Sequence, residues 1–260
     1  MLAEERRTRL LELVRQRGFA SLPELVEQLQ VSESTIRRDL DSLEEAGTAR
    51  RTHGGVFYTG QAPLLPHFEE RQPENWAQKQ AIADRTAELI QTGDTLLLDG
   101  GTTTYEVARR LVGRALQIVT NSLPVANLFA SSPQTDLVLL GGYIYPRTGV
   151  SVGPYTNDIL KQLNVRKTIL SVAGITERGY FNSNLLLVET ERAMMAAADE
   201  VIVVADSTKF GKQSLALISP LSEAKFLVAD RGLSSDWENK LRNAGVHVIL
   251  GDASKHSHDK

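Results

Sequence analysis

The sequence predicts an α/β chain in two parts: a small helical module with a β-hairpin over residues 1–57, and a larger, mostly parallel α/β domain over residues 74–252. Three features carry this expectation. Between Leu10 and Leu43, apolar residues recur at the helical period in three short stretches. From Thr95 onward, short apolar runs alternate with helical stretches, the pattern of strands buried on both faces. Between the two parts, residues 58–73 hold Gly60, Pro63, Pro66 and Pro73 without sustained periodicity and read as a linker, partly ordered through Leu64, Leu65 and Phe68.

Leu10, Leu11, Leu13 and Val14 form the apolar stripe of a first helix that stops near Gly18. Ser21-Leu22-Pro23-Glu24 has the form of a capping box, in which serine accepts from the N3 amide and Glu24 reaches back to the Ser21 amide. Leu22, Leu25, Val26 and Leu29 give the second helix its buried face. Gln30-Val31 make the turn, and Ser32 caps a third helix. There Ile36, Leu40 and Leu43 face inward, which turns Ser34 and Arg38 outward and puts Arg37 on the flank. Gly47 closes the helix as a left-handed cap. Thr48 to Arg51 and Val56 then form two arms of a hairpin turning at Gly54-Gly55.

That order is the build of a winged helix-turn-helix, with a polar helix for the DNA major groove and a basic wing for phosphates. The candidate DNA contacts are Ser32, Ser34, Thr35, Arg37 and Arg38 on the helix, with Arg50, Arg51 and His53 on the wing. An arginine fork matches a guanine edge, and the wing arginines suit phosphates. Acidic residues (Glu4, Glu5, Glu12, Glu33, Asp39, Asp41 and Glu44 among them) balance the arginines of this stretch, so a basic footprint must come from one face. The run Ser32 to Leu40, with Leu43, Gly47 and Arg51-Thr52-His53-Gly54-Gly55, resembles the DeoR family of bacterial transcriptional regulators. The resemblance implies double-stranded operator DNA as a partner. Thr48 departs from it, standing where the family carries an apolar residue.

At 260 residues the chain is too long for the small module alone, and 42% hydrophobic residues suffice for ordinary cores. A net charge of −3 excludes a generally polybasic coat. With no cysteine, disulfides and thiolate metal sites are excluded. Glu4 and Glu5 stand where a signal peptide would be basic and then apolar. No apolar run approaches the ~20 residues of a membrane span, so a cytoplasmic protein without a membrane partner is expected. No cofactor and no metal are expected either. His256 and His258 lie in a polar tail, residues 253–260, and read as frayed rather than metal-ligating.

In the larger part a helix is expected from Asn75, with Trp76, Ile82, Ala83, Leu89 and Ile90 on its inner side. Strands are expected at Thr95–Leu98, Gln117–Thr120, Leu137–Leu140, Thr168–Ala173, Val201–Ala205, Lys225–Ala229 and Val246–Leu250. In such sheets ligands collect at the carboxyl ends of strands. Asp99-Gly100-Gly101-Thr102-Thr103-Thr104 follows a strand and opens a helix, where free amides and hydroxyls suit an anion. Thr120-Asn121-Ser122, Gly141-Gly142 with a flexible stretch 143–153, and the turn Asp206 to Gly211 with Lys209 occupy similar places.

Together with Ala173-Gly174-Ile175 and Glu189-Thr190-Glu191, these motifs resemble the effector domain of DeoR-type regulators, which is similar in fold to ribose phosphate isomerases. The resemblance implies a phosphorylated sugar as effector. It places the phosphate on Gly101, Thr102, Thr103 and Thr104 and the rest of the pocket at Asp99, Thr120, Asn121, Gly142, Gly174, Glu189 and Lys209. An isomerase is the rival reading. Aldose–ketose isomerisation needs a positioned carboxylate, and the stretch Val172 to Thr176 has none, so no catalytic residue is assigned. Gly149-Val150-Ser151-Val152-Gly153 spells a nucleophile elbow, yet Pro146 and Arg147 stand where its strand should run, so Ser151 is expected in a loop over the sugar site. One small DNA-binding module contacts too few base pairs for selectivity, so a homo-oligomer on paired half-sites is expected. The whole reads as a regulator, most simply a repressor of carbohydrate genes.

Overall fold

A computed structural model describes residues 3–17, 19–46, 48–52, 55–58 and 67–252. The chain divides into two compact units, Met1–Leu64 and Leu65–Lys260.

The first unit packs α1 (Ala3–Arg17), α2 (Leu22–Leu29) and α3 (Glu33–Glu45) against a three-stranded antiparallel sheet. Its strands are β1 (Phe19–Ser21), β2 (Ala49–Thr52) and β3 (Gly55–Tyr58), with β3 in the middle. The capping box forms: the Glu24 amide donates to Ser21 Oγ at 3.4 Å, and the Ser21 amide to Glu24 Oε2 at 2.8 Å. Gln30 makes the turn in left-handed conformation at φ 53°, and Ser32 Oγ caps α3 by accepting from the Thr35 amide. Leu10, Val14, Leu25, Leu29, Ile36 and Leu40 meet in one core with Val56 of β3. The strand β1 has no counterpart in the sequence reading; three residues are too few to show a period. The hairpin tip at His53 and Gly54, and the helix end at Gly47, lie outside the described residues. Thr48, the departure from the family pattern, donates its amide (3.0 Å) and hydroxyl (3.1 Å) to the Leu43 carbonyl, so its polar atoms close α3.

The second unit begins, among described residues, with α4 (Phe68–Arg71) and α5 (Trp76–Glu88). Then β4 (Thr95–Leu98), α6 (Thr102–Leu111), β5 (Leu116–Thr120), α7 (Leu123–Phe129) and β6 (Thr135–Leu139) alternate. A hairpin of β7 (Tyr143–Tyr145) and β8 (Val150–Val152), then α8 (Pro154–Leu160), leads to β9 (Val165–Ser171). Two short strands follow, β10 (Gly174–Thr176) and β11 (Gly179–Asn182). The last elements among the described residues are α9 (Leu185–Ala196), β12 (Ala198–Val204), β13 (Ala216–Ser219), β14 (Phe226–Asp230), α10 (Ser235–Asn243) and β15 (His247–Gly251).

Seven strands form one parallel sheet in the order β15-β14-β12-β9-β4-β5-β6. Apolar clusters cover both faces: Leu97, Leu170 and Val203 point to one, and Leu96, Leu98, Ile169 and Ile202 to the other. The period of two along each strand sends successive side chains to opposite faces, so a continuous apolar run fills both cores. From β4 the chain adds β5 and β6 on one side, then returns to place β9 and β12 on the other. The junction of β4 and β9 is therefore a topological switch point, where a crevice opens at the carboxyl ends of the strands.

The structure departs from the sequence reading in several places. Strands β10, β11 and β13 form a separate antiparallel sheet. The stretch expected to be flexible, 143–153, holds the β7–β8 hairpin, with Val150, Ser151 and Val152 all buried. Ser151 lies in a strand, not a loop: its hydroxyl donates to the Leu140 carbonyl at 2.6 Å and its amide to the Asn121 carbonyl at 2.7 Å. Trp76 is 53% exposed because it opens α5, before the turn that packs. Within the linker the order expected at Phe68 is present: it is buried edge-on against Tyr105, ring centroids 5.3 Å apart, and α4 belongs to the second unit, while Leu64 and Leu65 lie outside the described residues.

Candidate functional site

Two surfaces carry the expected residues, and each belongs to one unit. In the first unit, α3 presents Ser34, Arg37 and Arg38 to solvent, with Ser32 exposed and Thr35 half-buried at its start. Arg37 Nη2 lies 2.5 Å from Glu33 Oε1, so its charge is partly matched within the helix. Arg51 is paired with Asp41, and its amide donates to Glu44 Oε1 at 3.3 Å. Arg38 has no ion pair among the described residues. The Arg50 side chain and His53 lie outside those residues.

Asp39 is the acidic residue of α3 that does not face solvent. In the sequence it counts against the arginines, but the side chain is buried and turned inward. Its carboxylate receives Arg6 Nε at 2.5 Å and Nη2 at 3.1 Å, tying α1 to α3. One negative charge is thereby removed from the helix surface while Arg38, next to it in sequence, stays outside. The signal was available in part: Asp39 lies three residues after Ile36 and four before Leu43, on the core side of the helix. Replacing Arg38 by alanine is expected to reduce operator affinity by about 1–3 kcal/mol, roughly 5- to 150-fold, with an unchanged melting temperature. A gel-shift titration at fixed salt measures it, and equal affinities would move the base contact to another residue.

In the second unit, a cavity of about 270 Å³ opens at the switch point. Asp99, Gly100 and Gly101 line it from the loop after β4, and Asn121 from the end of β5. Ser171, Val172 and Ala173 come from the end of β9, Asn182 from β11, and Thr148 and Val150 from the hairpin. Lys209 enters from the turn after β12. Helix α9 contributes Leu187, Thr190, Glu191 and Met194, spaced as one helical stripe. Arg71 and Glu74 complete the wall.

Of the residues expected to hold an effector, Asp99, Gly101, Asn121 and Lys209 are brought together here. Thr102, Thr103 and Thr104 are buried in the first turn of α6 and are not in the lining. Thr120 is also off the lining; its hydroxyl donates to the Leu98 carbonyl at 2.7 Å. Gly142 and Gly174 serve close packing: a Cβ would fall 2.2 Å from Thr156 Oγ1 at the first and 2.2 Å from the Lys212 carbonyl oxygen at the second. Glu189 sits on another side of α9, where burial pushes its carboxyl up against the opposing charge of Arg192. At Gly101 a Cβ would fall 1.5 Å from Ser171 Oγ, so glycine lets β9 close onto the β4 loop.

The reading missed Arg71, Glu74, Ser171, Asn182 and Glu191. For Glu191 a signal existed, since Leu187, Thr190, Glu191 and Met194 share one face at the helical period and Glu189 does not. Arg71 had none, because it follows a proline-rich stretch without periodicity. Its position comes from packing. Lys79 Nζ, buried, donates to the Arg71 carbonyl at 2.6 Å and the Gln72 carbonyl at 3.4 Å. Asn75, left-handed at φ 50°, reaches Thr208 Oγ1 at 3.4 Å in the turn that carries Lys209. Residues 67–76 thus form a strap along the cavity.

Burial lowers the Arg71 guanidinium from its ordinary value, with Asp99 and Glu74 opposing. Burial raises Asp99, while amide donation from Ser171 (3.0 Å) and Gly101 (3.2 Å) opposes it. Glu191, also buried, is pushed up to about 8 by desolvation and by the nearby Asp99. Two cations and a set of desolvated carboxyls around a polar cavity suit a small ligand bearing both an anionic group and hydroxyls.

A winged helix joined to an α/β unit with a polar cavity at its switch point defines a DNA-binding regulator with a sensor domain. Residues 6–61 match the family model of the DeoR-like helix-turn-helix domain, and residues 74–231 that of the DeoR C terminal sensor domain. The chain is 37% identical to the transcriptional repressor AccR of Agrobacterium fabrum, over 88% of this chain and 90% of that protein. It is 34% identical to the glycerol-3-phosphate regulon repressor of Escherichia coli, over 88% of this chain and 92% of that protein. The chain belongs to the DeoR family of transcriptional regulators. Among solved structures, ribose 5-phosphate isomerase A of Methanocaldococcus jannaschii is 16% identical over 53% of this chain and 55% of that chain, with a TM-score of 0.39. So distant a likeness says nothing about chemistry. Among the described residues, no helix is long and apolar enough to cross a membrane.

Proposed function

We propose that this chain is a cytoplasmic repressor that binds operator DNA through α3 and the wing as a homo-oligomer, and that a phosphorylated sugar or polyol bound in the cavity controls it. One observation carries the effector reading: Arg71 and Lys209 share a cavity with Asp99, Asn121 and Glu191 at the sheet's switch point. Cations take the phosphate, and the carboxyl and amide groups take hydroxyls. The relatives named as repressors, one of them of a glycerol-3-phosphate regulon, support the same reading. The homo-oligomer rests on the DNA argument, because one α3 reads a few base pairs and paired half-sites multiply selectivity.

The effector releases or retains operator only if it prefers one arrangement of the protein, since equal affinity for both shifts nothing. A thermal-shift screen of phosphorylated sugars tests the class. A ligand at ~100 times its Kd is expected to stabilise the native state by about 2.7 kcal/mol. A gel shift on the chain's own upstream region, with and without the ligand found, then fixes the sign. A flat response across the screen would remove the sugar phosphate from this reading.

Asp99 and Glu191 are the observation on the side of an isomerase, because proton transfer needs a carboxyl in the site. Asp99 is engaged by the Ser171 hydroxyl at 3.0 Å and by two amides, which fix it as an acceptor. Binding without turnover is therefore the reading adopted. Conversion of a pentose phosphate by the purified protein at a rate above background would reverse it.

A further inference from the structure

The cavity wall contains two buried polar atoms without a hydrogen-bond partner among the described residues, Asn121 Oδ1 and Glu191 Oε2. Unsatisfied buried polar atoms are costly, so their presence together at a cavity points to a ligand that completes them. The orientation of each is set by its other atoms. Asn121 Nδ2 donates to the Ser151 carbonyl at 2.8 Å, which leaves Oδ1 as an acceptor requiring a donor. Glu191 Oε1 accepts from Asn182 Nδ2 at 2.5 Å. The Asn182 amide is itself held, because its Oδ1 accepts from the Ser183 amide at 2.7 Å. Oε2 is thus the oxygen left for a ligand.

The protonation state follows from the neighbours. Asp99 and Glu191 are both buried, and two desolvated carboxyls so placed do not both ionise readily. Asp99 receives the Ser171 amide and hydroxyl and the Gly101 amide, all of which favour its anion. Glu191 receives one amide donor, from Asn182. The proton therefore belongs on Glu191, at Oε2. The charged groups around it are Asp99 from the β4 loop, Arg71 and Glu74 from the strap, and Lys209 from the turn after β12. With Glu191 neutral, the two cations balance Asp99 and Glu74. With Glu191 ionised, the lining becomes net negative.

We propose that Glu191 is a specificity-determining residue that, as a neutral acid, donates a hydrogen bond from Oε2 to an oxygen of the effector, while Asn121 Oδ1 accepts from one of its hydroxyls. This deepens the sugar-phosphate reading of the cavity and rests on it. The pair demands a donor and an acceptor on the ligand, and a hydroxylated carbon chain supplies both. Ionisation of Glu191 removes the donor and adds a repelling charge. Its carboxyl is pushed up to about 8, so the binding form dominates below that pH and is lost above it. Between about pH 7 and pH 9 the protonated fraction falls about tenfold, and affinity falls with it.

The test is calorimetric titration of the full chain with glycerol 3-phosphate, ribose 5-phosphate and fructose 6-phosphate, carrying forward the tightest binder. Wild type is expected to lose about tenfold in affinity between about pH 7 and pH 9 through Glu191. Glu191→Gln carries a donor that cannot ionise, so its ratio of affinities between the two pH values is expected to lack that tenfold factor. The ligand's own ionisation is the same in both titrations and cancels in the comparison. Glu191→Ala is expected to bind more weakly than Glu191→Gln at the lower pH, with melting curves confirming that both variants fold. Equal pH ratios for wild type and Glu191→Gln, or equal affinities of the glutamine and alanine variants, overturn the assignment while the cavity reading stands. If none of the three compounds binds wild type, the sugar-phosphate reading falls, and this inference with it.

Discussion

Asp94→Ala is expected to destabilise the sensor unit by about 3–5 kcal/mol. Asp94 opens the sheet at the amino end of β4, and its carboxylate is almost fully buried. Lys167 Nζ, buried on β9, lies 2.5 Å from Asp94 Oδ2, and Arg166 Nε lies 3.2 Å from Oδ1. The Gln91 amide adds a third donor at 2.8 Å. Removing the carboxylate strands the Lys167 ammonium in the interior, which costs far more than the net worth of the pair. At about 2–4 °C per kcal/mol for a unit of this size, the loss corresponds to roughly 6–20 °C in Tm. A double variant, Asp94→Ala with Lys167→Met, removes both charges and is expected to recover part of the loss. Denaturant melts of the three proteins check this, and a single-variant loss below about 1 kcal/mol would mean that Lys167 finds water or another partner.

The same group sets an acid limit. Burial pushes the Asp94 carboxyl up, but Lys167, the Gln91 amide and Arg166 together hold it below its ordinary 3.8. A carboxyl lowered in the folded state contributes fully above that value and loses its contribution as the pH falls through the folded value. The Asp94 contribution to stability is therefore expected to be lost as the pH falls below 3.8, and Asp94→Ala to lack this component of the acid dependence.

Arg71→Gln is expected to weaken binding of the phosphorylated effector by at least ~30-fold, since truncating one partner of a desolvated charge pair costs about 2–5 kcal/mol. The guanidinium is partly desolvated, with Asp99 and Glu74 near it, and it faces the cavity that Lys209 enters from another element. Arg71→Lys keeps the charge but loses the fork, so an intermediate affinity is expected. The strap itself is held by its backbone through Lys79 and by Phe68 against Tyr105, so melting of the ligand-free variant checks that the geometry survives. Calorimetry with the best ligand of the screen reads the effect. Equal affinities for wild type and Arg71→Gln would leave Lys209 as the cation that holds the phosphate.

The order of elements, the helix caps and the face that most helices bury were legible in the residues alone. Ser21, Ser32 and Ser122 cap as their local chemistry requires, because a cap involves atoms only a few residues apart. The spacing of Ile36, Leu40 and Leu43 identified the buried side of α3, because a helix surface repeats every three to four residues wherever it packs. The loop after β4 was legible as a strand-to-helix turn for a similar reason, since a glycine pair there is a local signal, and Asp99, Gly100 and Gly101 of it line the cavity. Which buried polar residue meets the cavity was settled by packing. Glu189 and Glu191 differ by two positions on one helix, and the contacts of α9 with β8, β9 and β11 select Glu191. Asp39 turns inward because Arg6, distant in sequence, waits there. Arg71 reaches the wall because Lys79, Phe68 and Asn75 fold the strap back. Local periodicity fixes a side chain's direction from its own element, but what lies in that direction depends on elements far along the chain.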